Sequence, residues 1–122
     1  MKYRDLIGAP YKLGGRGPAE YDCAGLVIEV QMRQGIPLSI PHSPHDAAQQ
    51  LVSMLRILRG AWQELERPRP GCIVFFPTEG HVGTMLDRFR FLHTTSEVGD
   101  AHIDSLESEL WRTKRRAFYV PK

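Results

Sequence analysis

The sequence is poor in cysteine, has no long apolar run and carries little net charge. Only two of its 122 residues are cysteine, Cys23 and Cys72, which excludes a disulfide framework and a zinc site built from four cysteines. No stretch approaches the roughly 20 apolar residues of a transmembrane helix, so we expect no membrane insertion. The formal charge of +2 is too small a surplus for a dedicated nucleic-acid-binding protein.

The N-terminal residues also lack the features of an export signal. The first eight residues carry charges at Lys2, Arg4 and Asp5, and they lack the apolar core of a signal peptide. We therefore expect no signal peptide and synthesis in the cytoplasm. Hydrophobic residues make up 42% of the chain and charged residues 25%, as in ordinary globular proteins, and the length fits one domain over residues 1–122.

The residue pattern predicts helices in the first half of the chain. Asp22 is a suitable N-cap, and the apolar residues after it recur at helical spacing. A glycine- and proline-rich loop is expected before it, at residues 10–22. The predicted helices are a short one at residues 3–8, one from Cys23 that ends at Gly35 and one from about Asp46 to Leu58 closed by Gly60.

The second half of the chain has short apolar runs of the kind typical of buried strands. Helices first and clustered strands afterwards predict an α+β fold, with N-terminal helices packed on a mainly antiparallel sheet. The predicted strands are Cys72–Phe76, Val82–Leu86, Arg90–Thr94, Ala101–Ser105 and Arg116–Val120.

Cys23 is a candidate nucleophile because it lies in the first turn of a predicted helix. The helix dipole and the unpaired N–H groups there favour an anion, so we expect them to stabilise a thiolate. The same N–H groups could receive an oxyanion when a carbonyl is attacked. The alternative is that Cys23 is a small core residue on the apolar face of the helix.

His81 and His93 are candidate partners of Cys23, since a cysteine nucleophile needs a base that is commonly oriented by a third polar group. A three-residue loop at 87–89 would place both histidines on one sheet face, with His93 paired to Gly83. A two-residue turn without a bulge would place them on opposite faces. Two histidines on one sheet face, opposite a helix bearing Cys23, would form a Cys–His–His triad.

Five blocks of the sequence follow one another in an order and spacing that resemble a known family. They are Tyr11-Lys12-Leu13-Gly14-Gly15, Asp22-Cys23-Ala24-Gly25-Leu26-Val27, Gly71-Cys72-Ile73-Val74-Phe75-Phe76, His81-Val82-Gly83 and Phe91-Leu92-His93. Together they resemble the NlpC/P60 cell-wall cysteine peptidases. The resemblance implies a papain-like α+β fold and hydrolysis of amide bonds in peptidoglycan stem peptides, for example between D-γ-glutamate and a diamino acid.

The resemblance also implies roles for individual residues. Cys23 would be the nucleophile that forms a thioester acyl-enzyme, and His81 would be the general base and acid. His93 would orient His81, and Tyr11 would help to bind substrate or the oxyanion. No metal or other cofactor is implied.

Three further positions matter for the comparison with the family. Asp22 matches the motif's acidic residue and would cap the helix or contact substrate. Ala24 stands where the family usually has serine, which removes a hydroxyl near the substrate. Cys72 replaces an aspartate common at that place, and we expect it to be a buried strand residue.

Several histidines and tryptophans remain outside this pattern. His42 and His45 have a spacing that can hold a metal on a helix, but the prolines around them predict a loop. His102 lies on a predicted strand without an assignable partner. Trp62 and Trp111 are predicted to be core or rim aromatic residues rather than platforms for sugars.

The triad specifies acyl transfer and leaves the acyl group open. The alternatives are therefore a cysteine amidase or acyltransferase that acts on another amide or ester, and a catalytically silent structural module that binds phage tail or wall. Since a wall hydrolase must reach the cell wall or periplasm and no signal is expected, we predict delivery in a phage or phage-like particle, with phage tail proteins as partners. The alternatives are a domain of a longer exported protein, release that depends on a holin, and an intracellular task.

Overall fold

A computed structural model of the chain describes residues 1–41 and 47–122. It contains two α-helices, a short 3₁₀ helix near the start and six strands. The helical elements are the 3₁₀ helix Arg4–Leu6, α1 at Cys23–Arg33 and α2 at Ala47–Ala61. The strands are β1 at Trp62–Leu65, β2 at Ile73–Phe76, β3 at His81–Met85, β4 at Arg90–Thr94, β5 at Ala101–Ser105 and β6 at Ala117–Pro121.

The six strands form one sheet in the order β1-β6-β2-β3-β4-β5, and every neighbouring pair is antiparallel. Strands β2 to β5 follow one another along the chain as neighbours, whereas β6 returns to lie between β1 and β2. The predicted α+β fold with a mainly antiparallel sheet is therefore confirmed. Within the described part of the chain, no helix is both long and apolar enough to cross a bilayer.

Helix α1 forms as the sequence predicts. The Asp22 carboxylate accepts a hydrogen bond from the Gly25 N–H at 2.7 Å, which satisfies one of the free donors of the first turn. Leu26, Val27 and Val30 are buried on one face of the helix. The cap and this apolar face fix where Cys23, the first residue of the helix, lies against the sheet.

Two details differ from the sequence-based expectation. Gly60 does not end α2, which continues to Ala61 because Met54 and Leu58 are fully buried and hold the helix in place despite the low helix propensity of glycine. Strand β1 is not among the predicted strands, because its sequence, Trp-Gln-Glu-Leu, does not alternate between apolar and polar residues. In the structure only Trp62 of the four is buried. The pair His42 and His45 lies outside the described residues.

The sheet has an apolar layer on each face. Side chains alternate along each strand, so Ile73 and Phe75 of β2 pack toward the helices while Val74 and Phe76 pack on the other face. That second face is closed by Trp111, from the segment between β5 and β6. Trp62 and Trp111 are both buried, as predicted for core aromatic residues.

Candidate active site

The hairpin of β3 and β4 brings His81 and His93 together. Thr84 pairs with Leu92, and the Leu86 N–H bonds the Arg90 carbonyl at 2.8 Å, so residues 87–89 form the expected three-residue loop. This register places both histidines on one face of the sheet. His81 Nε2 and His93 Nδ1 lie 2.7 Å apart, a hydrogen-bond distance. The predicted placement of the two histidines on one sheet face is confirmed.

Cys23 approaches the histidines from the end of the sheet and not from directly opposite them. Val82 packs in the apolar cluster that Cys23 touches, whereas His81 packs against Phe76 and Trp111 on the other face. We expected the histidines on the sheet face that packs against the helix bearing Cys23, and this is wrong. Strand alternation turns His81 to the other face, away from α1. Cys23, His81 and His93 nevertheless line one cavity of about 380 Å³.

The thiol of Cys23 is held in its neutral form. Burial raises the pKa of the Cys23 thiol to about 11, and the negative charge of Asp22 acts in the same direction. The backbone N–H groups of Ala24, Val82 and Cys23 itself lower that pKa, but their effect is smaller. The N–H groups at the start of α1 do favour the thiolate as expected, but desolvation outweighs them, so the net pKa is raised.

The two histidines are also neutral at pH 7. Burial lowers the pKa of His81 to about 3, and the charges of His93 and His102 lower it further. Burial likewise lowers the pKa of His93 to about 4, although its hydrogen bond to Asp104 opposes this. The ring of Trp111 stacks on His81 at 5.6 Å and excludes water from it. The His81 ring therefore has an unprotonated nitrogen at neutral pH, which is the form that a general base needs.

The hydrogen-bonded chain continues beyond His93 to residues that the sequence analysis did not select. His93 Nε2 lies 2.7 Å from Asp104 Oδ2, and His102 Nε2 lies 3.1 Å from the same oxygen. His102, for which the sequence offered no partner, thus has one. The signal was present in the alternation of His102 and Asp104 along a predicted strand, since residues two apart share a sheet face.

The same cluster is a candidate metal-binding group among the described residues. Within residues 1–41 and 47–122, one group of three histidine or acidic side chains has donor atoms all within 4.8 Å of one another, namely His93, His102 and Asp104. Both imidazole nitrogens point at a single carboxylate oxygen, at hydrogen-bond distances. In this arrangement both nitrogens are hydrogen-bonded to the carboxylate of Asp104.

Asp22 is enclosed by its own chain. Besides capping Gly25, its carboxylate accepts hydrogen bonds from the Gly14 N–H at 2.8 Å, from Arg16 at 2.9 Å and from Gln50 at 3.1 Å. Only 3% of Asp22 is exposed, and it is not part of the cavity wall. This arrangement favours the capping role over a contact with substrate.

Ala24 and Cys72 are core residues in the structure. Ala24 is 1% exposed, packs in the apolar cluster beneath α1 and does not line the cavity. Its side chain therefore cannot touch a ligand there, although its backbone N–H points toward the Cys23 sulfur. Cys72 is 2% exposed in the other apolar layer, directly before β2, as expected for a buried strand residue.

Tyr11 lies on the wall of the same cavity as Cys23, the position that the family resemblance implies. Its backbone is fixed by a hydrogen bond from its N–H to the Gly99 carbonyl at 2.9 Å and by a bridge to Tyr21. Burial raises the pKa of the Tyr11 hydroxyl, and the charges of Cys23 and Asp22 raise it further. The hydroxyl is therefore protonated at neutral pH and can donate a hydrogen bond into the cavity.

The remaining cavity wall carries charges of both signs. Glu79 and Lys114 form an ion pair at 3.5 Å, and Glu97 lies on the same wall. Leu51, Val98 and Leu110 add apolar surface. The cavity can therefore accept an extended ligand with both charged and apolar groups.

Comparison with known proteins finds chains of similar fold. No curated protein sequence matches the chain significantly. Among solved structures, NlpC1 from Trichomonas vaginalis is 20% identical, with a TM-score of 0.68 over 97% of this chain and 40% of its own. The NlpC/p60 domain of the peptidoglycan hydrolase SagA is 20% identical, with a TM-score of 0.61 over 93% of this chain and 88% of its own. The peptidoglycan hydrolase RipB from Mycobacterium tuberculosis is 19% identical, with a TM-score of 0.61 over 95% and 59%.

These likenesses establish the fold, and the chain spans 40% of the length of NlpC1. The pattern that defines the NlpC/P60 family matches residues 8–119. That range includes both helices and the strands that build the cavity wall. Since the match extends over nearly the whole sequence, this chain belongs to the NlpC/P60 family.

Proposed function

We propose that this protein is a cysteine hydrolase that cleaves amide bonds in peptidoglycan stem peptides through a thioester acyl-enzyme. One observation carries the proposal: Cys23 and His81 line the same cavity, and His81 is hydrogen-bonded to His93 at 2.7 Å. Nucleophile, base and orienting group are the parts that acyl transfer to sulfur requires. Membership of the family and the hydrolases among its structural neighbours support the same reaction class.

In the first step the Cys23 sulfur attacks the amide carbonyl carbon while His81 takes the thiol proton. Because thiol and imidazole both rest in their neutral forms, the proton moves as the carbon–sulfur bond forms. The N–H groups at the start of α1 and the hydroxyl of Tyr11 stabilise the resulting oxyanion. His93 keeps the His81 ring in the orientation that this transfer needs.

In the second step the tetrahedral intermediate collapses and the carbon–nitrogen bond breaks. His81 gives its proton to the leaving amine, which departs as a neutral group. A water molecule then attacks the thioester carbonyl, with His81 again as the base. The carboxylic acid leaves, and the proton returns to the Cys23 sulfur.

Stem peptides of peptidoglycan suit the charged wall of the cavity. The bond between D-γ-glutamate and a diamino acid has a free carboxylate on one side and an amine on the other. Lys114 could bind such a carboxylate, and Glu79 or Glu97 could bind an ammonium group, since all three lie on the cavity wall. We propose this bond as the target.

Digestion of purified muropeptides with product masses measured by mass spectrometry tests the proposal. The wild-type protein should release fragments cut within the stem, and Cys23→Ala should release none while its thermal unfolding is unchanged. Cys72→Ala is the matched control, since it removes the other sulfur from a buried place outside the cavity and should keep the activity.

The alternatives give different results in the same assay. An active Cys23→Ala protein would overturn the assignment of the nucleophile. Intact muropeptides, together with cleavage of another amide or ester that depends on Cys23, would indicate an amidase or acyltransferase. Binding of wall fragments without any cleavage would indicate a silent binding module.

The place of action stays a prediction. We propose the cell wall or periplasm, reached in a phage or phage-like particle with tail proteins as partners. Tail genes beside the gene for this chain would support delivery by a particle. Genes for bacterial wall synthesis at that place would contradict it.

A further inference from the structure

We propose that Asp104 is a positioning residue that fixes the ring proton of His93, and through it the ring proton of His81, so that His81 presents a free nitrogen to Cys23. The effect of this arrangement on catalysis rests on the proposed function, whereas the positions of the protons do not. It is carried by the unbroken hydrogen-bonded chain from Asp104 through His93 to His81.

Strand β5 places Asp104 by its register with β4. His102 lies directly opposite His93, and Asp104 lies opposite Phe91, so the side chains of His102 and Asp104 share the sheet face of His93. His93 is 1% exposed, so water does not compete for its ring nitrogens. Its Nε2 therefore depends on Asp104 for a partner.

The direction of each hydrogen bond follows from the carboxylate. An ionised carboxylate only accepts hydrogen bonds, so His93 Nε2 must carry the proton in its contact with Asp104. Burial keeps the pKa of His93 low, so the ring has one proton and its Nδ1 is an acceptor. Nδ1 then accepts from His81 Nε2–H, and the lone pair of His81 is left on Nδ1.

The opposite arrangement would disable the base. If His93 carried its proton on Nδ1, it would donate to His81 Nε2, and the single proton of His81 would lie on Nδ1. His81 would then have no lone pair for the thiol proton. A buried carboxylate that holds a histidine in its productive tautomer is worth orders of magnitude in rate in serine proteases.

His102 holds Asp104 in place from the other side. Its Nε2 contacts Asp104 Oδ2 at 3.1 Å, and its Nδ1 contacts the Asp100 carbonyl oxygen at 2.8 Å. Both oxygens are acceptors, and both contacts are at hydrogen-bond distance. The carboxylate thus has a fixed orientation although one third of its side chain is exposed.

The first arm of the test reads the tautomers directly and needs no substrate. In ¹⁵N-labelled wild-type protein at pH 7, a long-range ¹H–¹⁵N correlation spectrum should show Nε2 protonated and Nδ1 unprotonated in both His81 and His93. A proton on Nδ1 of His93 would overturn the proposal. In Asp104→Asn the two rings should show mixed or reversed tautomers, since an amide can donate as well as accept.

The second arm measures hydrolysis of muropeptides. Asp104 lies on the cavity wall, but its carboxylate is bonded to His93 and His102. Asp104→Asn should therefore lower kcat on the order of 10²-fold with a much smaller change in KM. Asp104→Glu, which restores a carboxylate, should recover part of the loss. Glu109→Gln is the control for loss of one negative charge, since Glu109 is exposed and lies outside the cavity wall, and it should leave kcat unchanged.

The two arms separate this inference from the proposed function. A wild-type kcat in Asp104→Asn would overturn the role of Asp104, as would unchanged tautomers in that variant. A wild-type protein that cleaves no muropeptide but shows the expected tautomers would contradict the proposed function and support the position of the protons.

Discussion

At the scale of single residues, the thiol of Cys23 and the ring of His81 rest as a neutral pair. The same desolvation produces both effects: it raises the pKa of the thiol and lowers that of the imidazole. An ion pair of thiolate and imidazolium would need both shifts to run the other way. In the proposed reaction the thiol proton therefore has to move as the carbon–sulfur bond forms.

We expect the thiol of Cys23 to react slowly with alkylating agents at neutral pH. Because its pKa is raised to about 11, the thiolate fraction should still increase between pH 7 and pH 10. The rate of iodoacetamide labelling at Cys23, followed by peptide mass spectrometry, should rise over this whole range. A rate that reaches its plateau below pH 8 would contradict the neutral thiol, and free cysteine, with a pKa of about 8.5, is the reference compound.

The buried histidines should also make the fold sensitive to acid. Their pKa values in the folded chain lie near 3 for His81 and 4 for His93, below the value of about 6.5 expected in the unfolded chain. Below pH 6.5 the unfolded chain takes up protons that the folded chain does not, so the free energy of unfolding should fall as the pH falls toward 4. The expected slope is on the order of 1 kcal/mol per pH unit for each histidine.

Urea unfolding between pH 7 and pH 4 measures this slope. His93→Gln removes one of the two groups, so its stability should depend less steeply on pH, even if it starts lower. An equal slope in wild type and variant would show that His93 does not take part.

At the scale of elements, the sequence predicts those parts whose signals are local. Helix α1 has a cap, an apolar face and a glycine stop within one stretch, and the β3–β4 register follows from the length of one loop. Strand β1 has no such pattern, because its pairing with β6 depends on residues far along the chain. For the same reason the contact of Asp104 with His93 was not found, since it requires knowledge of which strand lies beside β4.

Helix α1 and the loop before it touch so closely that only glycine fits at position 25. A Cβ atom there would lie 2.0 Å from the carbonyl oxygen of Gly15. Gly25→Ala should therefore lower the free energy of unfolding by about 2 kcal/mol or more and reduce activity, because it displaces the helix start that carries Cys23. Gly60→Ala is the matched control: a Cβ atom there meets nothing within 4 Å, so it should stabilise α2 by about 0.5–1 kcal/mol.

Urea unfolding of both variants, with muropeptide cleavage measured in parallel, tests this difference. Wild-type stability and activity in Gly25→Ala would show that the loop containing Gly15 can move away without a loss of folding free energy. A loss of stability in Gly60→Ala would show that α2 does not have open space at that position.

At the scale of the whole molecule, edge strand β5 joins the N-terminal segment to the paired histidines His81 and His93. Gly8 N–H bonds the Ala101 carbonyl at 2.8 Å, Ala101 N–H bonds the Ala9 carbonyl at 2.9 Å, and Tyr11 N–H bonds the Gly99 carbonyl at 2.9 Å. The same strand carries Asp104. The two walls of the cavity, one with Tyr11 and one with His93, thus depend on one edge strand.

We expect these segments to open as one unit. In native-state hydrogen exchange, the amides of Gly8, Tyr11 and Ala101 should show similar opening free energies, lower than that of Val74 in central strand β2. Exchange of Gly8 and Tyr11 at the rate of unprotected amides, with Ala101 still protected, would show that the N-terminal segment moves independently.

The position of β6 has a consequence for synthesis on the ribosome. Trp62 pairs with Pro121, and Ile73 pairs with Tyr119. Strands β1 and β2 therefore cannot pair with β6 until that strand has been synthesised. Until residues 117–121 have left the exit tunnel, both strands keep open edges that favour association with other chains. Nascent chains should therefore need protection at this stage, and a chain truncated before residue 117 should aggregate in the cell that makes it.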